Sequence, residues 1–255
     1  MDRGTYKDIV NGLGERGPEV ARRLVAAVRA IDGGDAELAG RHADIARRLG
    51  TRLAPVREAV GLIAYEIGQY EVALRDLRAA QRMSGALDLL PIIADCERAV
   101  GRPQRALDIA ASVEVQQLEV AGRVEMIIVA AGARGDLGQL EAAVETLRGP
   151  LLTAGSTAAW QERLWYAFAD ALVSVGRPGE ADAWFARAAA HPEAATDAEE
   201  RLAQLRTDVG DAGADEIGEV LDLENDQVLD EAGTGDADTG GLDTGGMDTS
   251  TRDPA

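Results

Sequence analysis

A glycine is followed five residues later by an alanine at Gly34–Ala39, Gly68–Ala73, Gly101–Ala106, Gly138–Ala143 and Gly176–Ala181. Successive glycines lie 34, 33, 37 and 38 residues apart. With 29 glycines and 47 alanines in 255 residues, about five such pairs are expected by chance, so the even spacing carries the inference and the count does not. A period in this range marks a helical solenoid, in which each unit buries its apolar face only against its neighbours.

The segments between the rungs have helical periodicity. In the unit around Gly68, Val60, Ile63, Ala64 and Ile67 repeat at helical spacing before the turn. Tyr70, Ala73, Leu74, Leu77 and Ala80 do so after it. The other units read as GPEVARRLVAAVRAI with AELAGRHADIARRLG, LDLLPIIADCERAV with GRPQRALDIAAS, GRVEMIIVAAGARGDL with GQLEAAVETLRGP, and WQERLWYAFADALVSV with GRPGEADAWFARAAAHP. Each ladder glycine suits a helix terminus that needs positive φ, and Pro103 and Pro178 suit the first turn of the next helix. Gly149–Thr157 reads as a longer polar linker. The opening residues predict a short helix from Thr5, broken by the glycines at 12, 14 and 17. A last polar helix from Thr196 presents Leu202, Leu205 and Val209 to cover the end of the stack.

The net charge of −19 is unevenly distributed. Residues 207–255 hold 15 acids and one base, Arg252, whereas residues 1–206 hold 30 acids and 25 bases. This balance argues against nucleic acid as a partner. From Gly210 the apolar pattern dissolves into acid-rich sequence and then into DTGGLDTGGMDTSTRDPA, so disorder is expected there. The stretch 216–231 reads in three ways: a segment that orders on a partner, one that docks on the chain's own arginine-bearing helices, or a solubilising tail.

A lone Cys96 excludes an intramolecular disulfide, and two histidines with one cysteine give no zinc spacing. The start MDRGTYKD lacks a signal pattern, and no apolar run approaches the length of a membrane span. A cytoplasmic protein without membrane contact is the expectation. No cofactor is expected, because GARGDLG and DGGD lack a phosphate-loop spacing. No metal site is expected either; the aspartates at 238, 243 and 248 lack a preformed cage. No catalytic residue stands out, since His42 and His191 lie on different units without a nucleophile or carboxylate at helical spacing. The arginine runs (Arg22–Arg23, Arg47–Arg48, Arg75/Arg78/Arg82) read as solvated faces.

The fifth unit resembles the tetratricopeptide repeat family. Trp165, Phe168, Ala169 and Leu172 fall where that motif has its first-helix Trp, Leu, Gly and Tyr. Gly176, Ala181, Phe185 and Ala188 fall at its turn glycine and its second-helix alanine, aromatic and alanine, with Pro192 near its terminal proline. Gly61, Ala64, Gly68, Tyr70, Ala73, Leu77 and Ala80 match in the second unit. The alanine-rich composition, with 25 Arg to one Lys, is similar to tetratricopeptide proteins of high-GC actinobacteria. The resemblance implies an all-α, right-handed α-solenoid of about five antiparallel helix pairs, whose first helices line a groove that binds peptides or partner proteins.

The expected organisation is an N-terminal extension at 1–17, a repeat domain with its capping helix at 18–209 and an acidic, disordered tail at 210–255. The groove side of the first helices then carries Glu58, Leu62, Tyr65, Pro91, Asp95, Arg98, Ile128, Tyr166 and Asp170, with Asp88, Glu125 and Arg163 beside them. The groove should be an apolar strip with negative flanks, and its acids read either as contacts for a basic partner segment or as ordinary solvated groups. The expected function is a non-catalytic protein–protein interaction scaffold or adaptor. The alternatives are a regulatory subunit of an enzyme and a self-assembling structural solenoid, with a monomer favoured.

Overall fold

The computed structural model describes residues 3–208, and the acidic segment expected to be disordered lies outside them. Regular structure among the described residues is helical. After α1 (Arg3–Leu13), five antiparallel pairs follow: α2 (Gly17–Asp32) with α3 (Ala36–Gly50), α4 (Ala54–Glu66) with α5 (Tyr70–Ser84), α6 (Leu90–Ala99) with α7 (Pro103–Ala110), α8 (Val120–Asp136) with α9 (Leu140–Leu147), and α10 (Ala159–Ser174) with α11 (Pro178–Ala189). The chain is helical again at 198–208 (α12).

Every pair turns on a ladder glycine. Gly34, Gly68, Gly101, Gly138 and Gly176 have φ of 76°, 74°, 76°, 72° and 74°. In each turn the next residue donates its N–H to the carbonyl five positions back. These bonds are Asp35 to Ala30, Gln69 to Ala64 and Arg102 to Glu97 at 2.8 Å, and Gln139 to Arg134 and Arg177 to Leu172 at 2.9 Å. This closure satisfies carbonyls that a helix end leaves orphaned. The left-handed conformation costs a residue with a side chain about 1–2 kcal/mol, which explains the glycine. The alanine of each rung then donates its own N–H into the first turn of the second helix and faces the core. Ala39, Ala73, Ala106 and Ala181 are fully buried and Ala143 nearly so.

First helices divide their apolar residues between two neighbouring cores. Val60 and Ile63 of α4 join the cluster beneath α1–α3, whereas Ala64 joins the one shared with α5 and α6. Ile93 and Cys96 of α6 face back to that cluster, and Leu90 and Ala94 face forward with Met126 and Ala133 of α8. Val124 and Ala131 of α8 complete the last cluster with α9, α10 and α11. This alternation is what makes the stack a solenoid. Ala198, Leu202 and Leu205 of α12 lie on that last cluster; Val209 lies outside the described residues.

Three details differ from the sequence-based expectation. First, α1 begins at Arg3 and runs through Gly12. A Cβ at Gly12 would lie 2.8 Å from Leu53 Cδ1, and one at Gly17 would lie 2.5 Å from Val10 Cα. These two glycines therefore permit close approach, and only Gly14, at φ 54°, has the conformation of a break. Second, α7 and α9 stop after eight residues each. The 3₁₀ turns Val113–Gln117 and Pro150–Thr153 take up the chain that follows. They help to stretch the two longest repeat intervals, and they drive Val115 and Leu152 into the core. Third, the segment read as a polar linker is pinned by buried groups. Gln161 donates to the Leu151 carbonyl at 3.2 Å, Trp165 donates to the Leu152 carbonyl at 2.8 Å, and His191 Nε2 lies 3.3 Å from the Ser156 carbonyl.

The turn glycine and the packing glycine separate two kinds of constraint. Gly68 has open space around it, so Gly68→Ala should cost about 1–2 kcal/mol from its φ alone. Gly61 is helical, but a Cβ there would lie 2.7 Å from Leu77 Cγ and 3.1 Å from its backbone nitrogen. Helix propensity favours alanine there by up to about 1 kcal/mol, and overpacking against a backbone opposes it by about 1–3 kcal/mol, so Gly61→Ala should also destabilise. Urea unfolding of both variants measures the two costs.

Candidate functional site

The first helices α4, α6, α8 and α10 line one open groove of about 950 Å³. It is centred on α8, whose lining positions include Gly122, Ala131, Gly132 and Gly135. Small residues on this helix leave room above it. Pro91 and Ile92 of α6, Ile128 and Val129 of α8, and Tyr166 and Ala167 of α10 supply the apolar surface. Leu140 and Leu147 of α9 reach it as well.

Seven of the nine candidate residues line this groove: Tyr65, Pro91, Asp95, Arg98, Ile128, Tyr166 and Asp170. Asp88, Glu125 and Arg163 do so too. Glu58 and Leu62 do not. Only the C-terminal turn of α4 reaches the groove, through Tyr65 and Glu66, while Leu62 packs half-buried on the core shared by α4, α5 and α6. Pro91 is a floor residue, since it is buried within the first turn of α6. Asp136, Gly132 and Thr196 line the groove without having been singled out; the one available signal was a pair of glycines, 132 and 135, inside an otherwise regular helical pattern.

Most acids of the groove already have cations. Arg98 donates Nε to Asp95 Oδ1 at 3.0 Å and reaches Asp136 on the next first helix at 3.2 Å. Tyr65 donates its hydroxyl to the other Asp95 oxygen at 2.6 Å. Arg163 of α10 pairs with Glu125 of α8, and Arg201 of α12 donates to Asp170 at 2.9 Å. Gly132 makes room for the first of these links, because a Cβ there would stand 3.3 Å from Arg98 Nε. Three carboxylates lack such partners among the described residues: Glu66 and Asp88 on the groove wall, and Glu58 beside Asp88.

Proton affinities follow this layout. Burial raises the Glu58 carboxyl, and the negative charge of Asp88 raises it further. Burial also raises Glu125, outweighing the opposing pull of Arg163. The Tyr166 phenol is pushed up to about 12 by burial and by its hydrogen bond with Asp197. Tyr65 is raised as well, by burial and by Asp95, so both phenols stay neutral at physiological pH.

The remaining sequence candidates are absorbed by packing. Cys96 is fully buried, which pushes its thiol up to about 12. His191 uses its second nitrogen to accept the Glu193 N–H at 3.2 Å. His42 Nδ1 sits 3.4 Å from an Arg23 nitrogen. Arg75 and Arg78 are more than a solvated face: Arg75 and Arg57 pair with Asp76, and Arg78 pairs with Glu97, both fully buried acids. Among the described residues no group of three or more His, Cys, Asp and Glu has an arrangement to hold a metal ion, and no helix is long and apolar enough to cross a membrane.

The helix pairs, their glycine turns and the groove of first helices define a tetratricopeptide-type solenoid, and known structures agree. The thermophilic TPR protein TTC0263 of Thermus thermophilus is 16% identical, with 74% of this chain and 99% of that one covered at a TM-score of 0.56. Yeast Tom70 is 14% identical, with 85% of this chain and 44% of that one covered at a TM-score of 0.51. The chain therefore spans less than half the length of Tom70. At these identities the likeness is one of fold. No protein-family model matches the sequence, and no curated protein matches it.

The Tyr65–Asp95–Arg98 arrangement should stabilise the groove wall. Asp95→Ala leaves the half-buried Tyr65 hydroxyl without its acceptor and Arg98 with Asp136 alone, and should cost about 1–3 kcal/mol. Tyr65→Phe removes one donor and should cost about 1 kcal/mol. A double-mutant cycle read by denaturant unfolding should give a non-zero coupling between the two positions.

Proposed function

We propose that this protein is a non-catalytic interaction module that captures a segment of a partner polypeptide in the groove of its first helices. The observation that supports the reading is the convergence of residues from α4, α6, α8 and α10 on one open, partly apolar groove of about 950 Å³. That volume is near the top of the usual range for small-molecule pockets, about 300–1,000 Å³, yet the groove is an open trough spanning several repeats. Such a surface suits an extended or helical segment, whose side chains alternate between floor and solvent. The fold supports the same class of work, since stacked repeats present extended concave surfaces.

The apolar floor is the part of this reading most directly tested. Ile128 is half-buried at its centre, so Ile128→Asp places a charge where partner side chains would seat. Partner binding should weaken by roughly a hundredfold, about 2.7 kcal/mol, with the helical circular dichroism preserved. A photo-crosslinking side chain at position 128 should capture the partner, whereas the same group at exposed position 41 on α3 should not. Equal capture at both positions would remove the groove from the mechanism.

A further inference from the structure

The distribution of free charge in the groove identifies the chemistry of its occupant. Toward α8, α10 and α12 every one of these acids has an arginine partner within the chain: Asp95 and Asp136 share Arg98, Glu125 has Arg163 and Asp170 has Arg201. These carboxylates have little left to offer an incoming cation. Along the α4 side the balance differs. Glu58 and Glu66 lie eight residues apart on α4, about 12 Å along its axis, and Asp88 stands just before α6. None of the three has a hydrogen bond or ion pair with a cation among the described residues. The Asp88 charge is close enough to Glu58 to raise that half-buried carboxyl beyond what burial does.

A half-buried carboxylate with a like charge near it, as at Glu58, is held at a cost that an incoming cation would relieve. Among the described residues, the groove lining has its carboxylates without a cation, Glu66 and Asp88, on the α4 side, and Pro91 and Ile92 of α6 belong to the same lining. Resting on the groove reading above, we infer that the occupant is an amphipathic segment with arginine or lysine side chains along one edge. Its apolar residues lie on Pro91, Ile92, Ile128 and Tyr166, and its cations meet Asp88 and Glu66 on the groove wall, with Glu58 adding its charge from behind Asp88. The chain's own residues 207–255 have the wrong sign for this flank, with 15 acids to one base.

Two short fluorescent peptides test the inference on the full-length protein. Both carry the same leucine and alanine positions at helical spacing; one has arginines along one edge, the other glutamates. The arginine peptide should bind, the glutamate peptide should not, and the bound signal should weaken as salt rises, as expected for partly exposed charges. The double variant Glu58→Gln, Asp88→Asn should lose roughly tenfold in affinity. The control Glu71→Gln, Glu141→Gln removes the same charge from exposed sites on α5 and α9 and should bind like the parent. Binding of both peptides, binding of neither, or equal losses in the two double variants would overturn the inference. Ile128→Asp separates this from the groove reading. An arginine peptide that binds Ile128→Asp undiminished sinks the groove itself. One that is lost in Ile128→Asp but indifferent to Glu58→Gln, Asp88→Asn sinks only the assignment of the cationic edge.

Discussion

Each helix pair is closed by one hydrogen bond, from the amide after a left-handed glycine to the carbonyl five residues earlier. This bond sets the angle at which the second helix leaves, and a buried alanine five residues past the glycine meets the first helix. Because the turn geometry recurs with nearly constant φ, successive pairs emerge in similar orientation and their first helices come to lie side by side. The groove is a consequence of that recurrence. No residue of its floor has to specify it.

Small residues at the contacts leave the stack few large side chains to define its register. Buried charge pairs fill part of that role. Asp76 is fully buried with Arg57 across the α4–α5 pair, and Glu97 is fully buried with Arg78 across the α5–α6 junction. Arg102 also stands 3.5 Å from Glu97, completing a charge cluster rather than a tight hydrogen bond. Such pairs are poor sources of net stability, because desolvation offsets their attraction, but losing one partner strands a buried charge. A slipped repeat would do the same. The pairs thus penalise wrong stacking more than they reward the right one.

Periodic features were legible in the sequence and long-range pairings were not. The five turns, the five pairs and the apolar stripes follow from spacing, since each depends on residues within about one helical hairpin. Most groove positions followed too, because a face of a helix is fixed once its buried stripe is known. Glu58 and Leu62 escaped this logic: how far along α4 the groove extends depends on curvature, which no single helix encodes. The partners of the groove acids were equally hidden. Arg98 and Asp136 are 38 residues apart, as are Glu125 and Arg163, and many other arginines stood at comparable distances. Gly12 and Gly17 looked like helix breakers because a glycine needed for close approach has the same letter as one needed for a turn.

The same pairings change what the acidic character of the groove means. Read residue by residue, it is a negative surface; read with its partners, it is neutral toward α10 and negative toward α4. A binding segment entering such a groove gains little electrostatically at one end and meets uncompensated carboxylates at the other, so its direction and register are biased before its apolar residues settle. Repeat architecture supplies the floor at low cost in sequence information, because each unit need only place a few small or apolar residues on its first helix. Polarity along the groove cannot come from the repeat itself, which is the same in every unit. It comes from where arginines have been placed to silence acids and where they have not.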